Sequence, residues 1–317
     1  MSLVVVGSMA FDAIETPFGK TDKILGGAAV YISLASSYFS KPVNAISVVG
    51  YDFLPKDMEM MKSHGVSLEG VQVKKDEKSF FWAGKYHNDM NSRDTLATEL
   101  NVLGNFDPIV PTAYHDCDYL MLGNLAPDVQ RLVIERLPNR PQLIVMDTMN
   151  FWMDIAWDSL METIKLVDVL VINDEEARQM SKEYSLVRAA HKIMELGPRY
   201  LVIKKGEHGA LLFHDDEIFS APGLPLEAVF DPTGAGDTFA GGFIGYLAQA
   251  EKNDFEAMKR AVIYGSAMAS FCVEKFGPER LIDLSYDEID NRVNKFVNLA
   301  NFDILPRKIS DFLDQSA

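Results

Sequence analysis

The sequence predicts an α/β protein: a doubly wound, mostly parallel central sheet flanked by helices, with a small β lid. Three observations predict it. Short continuous apolar runs at 3–6, 43–49, 119–122, 143–146, 169–172 and 200–204 alternate with helical patterns; strands buried on both faces and joined by crossover helices look like this. Polar or small residues recur just after these runs, at Gly7-Ser8, Asn124, Asn150, Asn173 and Gly206, which gathers the loops at the edge where open α/β sheets bind ligands. Residues 79–87 break the rhythm with an aromatic, β-prone segment followed by a turn at Asn88-Asp89.

Taken in order, the run at 3–6 is a buried strand, and Asp12 follows just past its carboxyl end. By position it reads equally as a ligand contact or as a loop aspartate making a local turn. Gly26-Gly27 precede a helix at 28–39 that is apolar almost all round and therefore buried. The strand at 43–49 leads to an amphipathic helix at 54–64, closed by Gly65, and to short strand-like pieces at 66–74. The aromatic segment reads as a hairpin excursion, as a lid or a dimer edge, because exposed aromatic strands seek cover. The polar stretch 93–101 belongs near its ligand end. Strands at 119–122, 143–146, 169–172 and 200–204 then alternate with helices at 128–137, 157–166, 174–184 and 185–196, and a short strand at 210–214 follows. Residues 227–230 read as strand-like, and helices are expected at 239–250, 255–273 and 286–296. Gly241, Gly242 and Gly245 each cost about 1 kcal/mol of helix propensity, so their helix must be buried in close approach to the sheet. No internal repeat or linker appears, so one main domain with an excursion is expected.

Of the 317 residues, 48% are apolar and 24% charged, which is ordinary for a globular protein. The net charge of −16 repels nucleic acid and anionic membranes. Any phosphate site must therefore rest on local groups. Cys117 and Cys272 lie in apolar surroundings and read as small core residues. The N-terminus lacks a charged leader and enters a strand at once, and no apolar run reaches membrane-spanning length, so a cytoplasmic location is expected.

The most informative stretch is Asp231-Pro-Thr-Gly-Ala-Gly-Asp237-Thr238. Pro232 and two glycines make a turn, and the rest begins a helix. A glycine-rich turn entering a helix aims several N–H groups at one spot, backed by the helix dipole, and suits a phosphate. Asp237 beside it either caps the helix or serves as a base for a hydroxyl that attacks phosphorus. The chain has neither Gly-x-Gly-x-x-Gly after its first strand nor a Walker-type loop, which disfavours a dinucleotide oxidoreductase and a P-loop NTPase. A ligand sensor would be expected to have lost the base or the metal carboxylates.

The stretch from Asp231 to Phe243 resembles the C-terminal signature of the ribokinase (PfkB) family of carbohydrate and nucleoside kinases. Gly7-Ser8 with Asp12, Gly26-Gly27, Asn173-x-x-Glu176 and Lys205-Gly206-x-x-Gly209 resemble further family motifs in the same order. The resemblance implies a ribokinase-like fold, with a core of 1–10, 26–74 and 104–317 and lid excursions at 11–25 and 75–103, and ATP-dependent phosphorylation of a hydroxymethyl group. Asp237 would be the base, and the N–H groups of Gly234, Ala235 and Gly236 would stabilise the transferring phosphoryl. Asn173 and Glu176 would hold Mg2+ through water. Lys204, Gly206, Glu207 and Gly209, with Ser266 and Gly277, would line the nucleotide. Asp231 and Thr233 match positions that bind a monovalent cation such as K+ in some members. Asp12, Gly26, Gly27 and Asn124 would hold the acceptor. The family's sugar-binding Asn is Tyr31 here, and Ala28 stands where Lys or Asn is frequent. The pocket is thus less polar, and Phe80, Phe81 and Trp82 add an aromatic lid face able to stack on a base or on a flat ring. Tyr31 reads as an acceptor contact or as a core residue with a satisfied hydroxyl. A carbohydrate kinase is expected, with a nucleoside kinase as the alternative, acting on a small molecule and pairing as a homodimer through the lid.

Overall fold

The structure is a computed structural model that describes residues 1–301. The chain opens with β1 (Leu3–Val6) and makes the lid strands β2 (Ala10–Thr16), β3 (Gly19–Lys20) and β4 (Ile24–Gly26). It returns through α1 (Ala28–Ser36) to β5 (Val43–Val49), α2 (Pro55–Ser63) and β6 (Val66–Val73), then leaves again for lid strands β7 (Phe80–Tyr86) and β8 (Arg93–Glu99). The next elements are β9 (Tyr119–Leu122), α3 (Pro127–Arg136), β10 (Leu143–Asp147), α4 (Asn150–Ile155), α5 (Trp157–Ile164), β11 (Val169–Asn173), α6 (Asp174–Ser181) and α7 (Leu186–Met194). The described part ends with β12 (Tyr200–Lys204), β13 (Ala210–His214), β14 (Glu217–Ala221), α8 (Ala235–Ala250), α9 (Phe255–Cys272), α10 (Glu279–Ile282) and α11 (Tyr286–Ala300).

The main sheet runs β14-β13-β12-β11-β10-β9-β1-β5-β6. Its members pair in parallel from β6 to β12, and β13 and β14 add an antiparallel edge. The continuous apolar runs follow from burial on both faces. Leu3 and Val5 pack with α1, α8 and α9, while Val4 and Val6 pack into a second core with α3, α5 and α7. The helical glycines are explained by contact. A Cβ on Gly241 would stand 2.5 Å from the Ile32 carbonyl oxygen, and one on Gly245 would stand 2.9 Å from Ser36 Cα. The α1/α8 interface therefore has no room for a side chain at either point, which offsets the propensity cost.

In the lid sheet, β2 pairs in parallel with β7 and antiparallel with β3 and β4, and β7 pairs antiparallel with β8. Asp12 is thus a residue of lid strand β2 and not of a loop after β1. The pieces expected at 66–74 form one edge strand, and β14 and α4 are additional elements. The strand-like run at 227–230 is irregular: Phe230 donates its N–H to the Val273 carbonyl at the end of α9, so the run has no sheet neighbour. Residues 302–317, assigned to the core from sequence, lie outside the described residues.

Candidate active site

The Asp231–Thr238 stretch folds as a turn clamped from within. Asp231 is fully buried; one carboxylate oxygen accepts the Thr233 N–H at 2.8 Å and the other the Gly277 N–H at 2.9 Å. Gly234, with φ of 76°, is the N-cap of α8, a left-handed conformation that favours glycine. A Cβ there would also strike the Tyr31 ring at 2.4 Å. The Ala235 N–H donates to the Pro232 carbonyl at 3.2 Å, so one of the three expected phosphate donors is engaged inside the turn. Asp237 lies in the first turn of α8 but makes no capping hydrogen bond, which removes the cap reading. Its carboxyl is pushed up to about 7, chiefly by burial and then by Asp147, with Lys204 and Arg93 pulling the other way.

Asp147 escapes the sequence reading, which ends its strand one residue early. It closes β10, and its carboxylate takes the Lys204 Nζ at 3.1 Å with both side chains largely buried. A carboxylate closing an all-apolar strand at the ligand edge is the signal that could have found it. Lys204, expected at the nucleotide, places its ammonium 3.0 Å from where a Cβ on Gly236 would stand, at the phosphate turn. Asp147, Glu176 and Asp237 surround it and raise its pKa against the cost of burial.

Asn173 and Glu176 form a reciprocal capping box: the Glu176 N–H donates to Asn173 Oδ1 at 2.8 Å, and Glu176 Oε2 accepts the Asn173 N–H at 2.7 Å. The pair therefore has a structural role beside any metal role. Burial, reinforced by Asp147, holds the Glu176 carboxyl up at about 7 despite Lys204. Among the described residues no group of three or more His, Cys, Asp or Glu side chains could cage a metal. A buried, undercompensated carboxyl fits a Mg2+ ion that arrives on a nucleotide and keeps its waters.

On the opposite wall, Asp12 packs onto Gly26, where a Cβ would come within 1.9 Å of its carboxylate. Burial, then Asp231 and Asp237, push its carboxyl up to about 8. Gly27 has φ of 95°, and a Cβ would stand 2.4 Å from the Ser8 carbonyl oxygen. Tyr31 is buried, but its hydroxyl finds no hydrogen-bond partner, which corrects the expectation of a satisfied core tyrosine. Asn124 accepts the Trp152 indole N–H at 2.8 Å and donates to Met149 Sδ at 3.0 Å. Trp152 is a second wall residue that sequence reasoning missed.

The lid register fixes which face meets the cleft. Tyr86 and Thr233 join hydroxyls at 3.2 Å across the gap, so the even-numbered residues of β7 face inward. Trp82 is one of them. It pairs in register with Asp12 and lays its ring over Gly84, where a Cβ would stand 2.1 Å from the indole. Phe81 pairs with Phe11 on the other face, which packs against the core beside Phe53.

At the nucleotide edge, Gly206 and Gly209 have φ of 54° and 82°. A Cβ on Gly209 would strike the Ala221 carbonyl oxygen at 2.1 Å, and Asn91 of the lid turn lies 2.7 Å from the Cβ position of Gly206. Glu207 is exposed in the same turn. Ser266 donates back to the Val262 carbonyl of its own helix, and Gly277 is held by Asp231.

The sequence model of the pfkB family carbohydrate kinases matches residues 1–283. The chain belongs to that family. It is therefore a kinase, a phosphotransferase. It is 29% identical to the cytidine kinase of Thermococcus kodakarensis over 248 residues, covering 77% of this chain and 87% of that protein. Its fold matches that of the Burkholderia thailandensis nucleoside kinase in complex with inosine, with TM-score 0.74, 22% identity and coverage of 94% and 99% of the two chains. It also matches a putative ribokinase II from E. coli in complex with ATP and Mg2+, with TM-score 0.73, 21% identity and coverage of 93% and 100%. The kinase thus has the ribokinase-like α/β fold.

Proposed function

We propose that this kinase transfers the γ-phosphoryl group of ATP to the hydroxymethyl group of a nucleoside. One observation carries the choice of acceptor: Trp82 is pinned on Gly84 on the inner face of the lid, in register with Asp12. A flat aromatic beside a hydroxyl-binding carboxyl matches a ligand with a base at one end and a sugar at the other. The likeness to a cytidine kinase agrees. The sequence alone favoured a carbohydrate acceptor; the placement of Trp82 supports the nucleoside alternative.

In this reading Asp12 holds sugar hydroxyls, and Asp237 accepts the proton of the attacking hydroxyl. The acceptor oxygen bonds to the γ-phosphorus, the bond from phosphorus to the β–γ bridging oxygen breaks, and ADP leaves with that electron pair. The N–H groups of Gly234 and Gly236 and the Lys204 ammonium receive the charge on the transferring group, and Asp147 holds Lys204 in place. Asn173 and Glu176 would hold Mg2+, which would supply compensation of phosphate charge when bound. The turn from Gly206 to Gly209 carries the nucleotide. A K+ ion at Asp231 and Thr233 would share the Asp231 carboxylate oxygens, which already accept the Thr233 and Gly277 N–H groups. The test is ADP release from ATP across a panel of nucleosides, pentoses, hexoses and inositol. Turnover on nucleosides at least 100-fold above the sugars is expected; preference for a free sugar or inositol overturns the acceptor assignment.

A further inference from the structure

The loop after β9 carries a side chain whose orientation the fold decides. Asn124 stands half-buried at the ligand edge. A Cβ on the preceding Gly123 would stand 3.2 Å from Ala28 Cβ, so the loop abuts the first residue of α1, beside the Gly26-Gly27 wall on which Asp12 packs. The Asn124 amide has an oxygen that only accepts and a nitrogen that only donates, two ends of nearly the same shape. Its partners tell them apart. The Trp152 indole N–H can only donate, so the atom 2.8 Å from it is Oδ1. The Met149 thioether can only accept from nitrogen, so the atom 3.0 Å from it is Nδ2. Both partners impose the same orientation. The thioether takes one of the two Nδ2 protons, and among the described residues no group takes the other. Asn124 therefore offers the cleft a donor.

The segment that sets this amide is itself held. Met149 is the N-cap of α4, and its carbonyl accepts the Trp152 N–H at 3.1 Å, so both partners of Asn124 belong to one helical turn. That helix is fastened to α6, because the Gln179 side chain donates to Asp154 Oδ1 at 2.8 Å and accepts from Asn150 Nδ2. The strand ends beneath are joined by Gln130 of α3. It is fully buried, and its Nε2 donates to the Gly123 carbonyl at 2.8 Å and to the Asp147 carbonyl at 3.0 Å. β9 and β10 pair in register as far as Leu122 and Met146, and the Gln130 amide continues the link for one more residue, where the ladder stops. The backbone on either side of the Asn124–Trp152 contact is thus fixed before any ligand arrives.

We propose that Trp152 is a positioning residue for acceptor recognition: its indole N–H fixes the Asn124 amide so that the cleft presents a donor, and the site selects acceptor molecules with an oxygen or ring-nitrogen lone pair at that point. This inference rests on the phosphotransfer reading given above. It separates Trp152 from a wall that only excludes water, since another aromatic side chain would keep the wall and release the amide.

The test measures steady-state ADP release with the acceptor found in the panel, for wild type, Trp152→Phe, Asn124→Ala and the double variant. Each single variant should raise the acceptor KM by about 5–10-fold, the scale of one lost hydrogen bond. Both kcat and the KM for ATP should change less than about 3-fold, as expected when the lost contact serves acceptor binding alone. The double variant should match Asn124→Ala within about 2-fold, because a residue that acts only through Asn124 adds nothing once the amide is gone. Asn124→Asp keeps an oxygen for the indole and loses the donor, so it should raise the acceptor KM at least as far as Asn124→Ala. Single effects that multiply in the double variant, or a wild-type KM in Asn124→Asp, overturn the role. Should Trp152→Phe lose the fold, seen as a collapse of Tm, Asn124→Asp decides alone by the same criterion. If wild type itself phosphorylates no acceptor, the proposed function fails and this inference with it; if wild type is active and a folded Trp152→Phe keeps the wild-type KM, this inference alone fails.

Discussion

Asp237 and Asp12 are carboxyls whose proton affinity the fold raises toward neutral pH, and both effects begin with burial. A base pushed up to about 7 must lose its proton before it can act. Accordingly kcat/KM should rise with unit slope below about pH 7 and level off above it, since this ratio reports the free enzyme. A profile flat from pH 5.5 to 8 would remove Asp237 from that role. The same shifts set stability. Both native pKa values lie above the ordinary 3.8, so between about pH 4 and 8 the folded chain binds more protons than the unfolded one and stability falls as pH rises. Asp12→Asn should therefore raise Tm more at pH 8.5 than at pH 5, by differential scanning fluorimetry; equal gains at both pH values would show that burial does not strain Asp12. Tyr31 gives a second check. A buried hydroxyl without a partner costs about 1–3 kcal/mol, so Tyr31→Phe should stabilise by about 1 kcal/mol in urea unfolding. Destabilisation would mean that the hydroxyl is satisfied by water.

At the scale of elements, the parallel strands and the phosphate turn were legible because each is local. An apolar run or a Gly-Ala-Gly before a helix states its conformation within a few residues. The partners of those elements were not legible. Asp147 meets Lys204 across 57 positions, and Trp152 meets Asn124 across 28; only the sheet order brings them together. Lid registers are equally hidden. Which of Phe80, Phe81 and Trp82 faces the cleft depends on pairing with β2, and a slip of one residue would invert it. The glycines of α8 sit between these cases, since their cost is visible in sequence and their reason is not. Gly241→Ala should destabilise by about 1–3 kcal/mol, because overpacking against α1 outweighs the helix propensity gained. A stabilised variant would show that the α1/α8 contact can open.

At the scale of the whole molecule, the sheet supplies the floor of the cleft and the lid supplies Asp12, Trp82, Tyr86 and Arg93. On the proposed reading, acceptor choice rests mainly on the lid, and phosphate handling mainly on the sheet edge and the first turn of α8. β8 is the outer strand of the lid sheet, exposed along nearly its whole length, with Leu96 at 61%. Pairing of two copies along this edge would cover it, and sedimentation should give a dimer that Leu96→Lys shifts toward monomer.

The claim on which all of this depends is that Asp237 is the base of a phosphotransferase. Its most direct test is a single-turnover measurement of ADP formation by Asp237→Asn with saturating ATP and acceptor, alongside ATP binding by calorimetry. The account predicts a rate at least about 10²-fold below wild type with ATP affinity within a few-fold. A variant that transfers phosphate at the wild-type rate would contradict it.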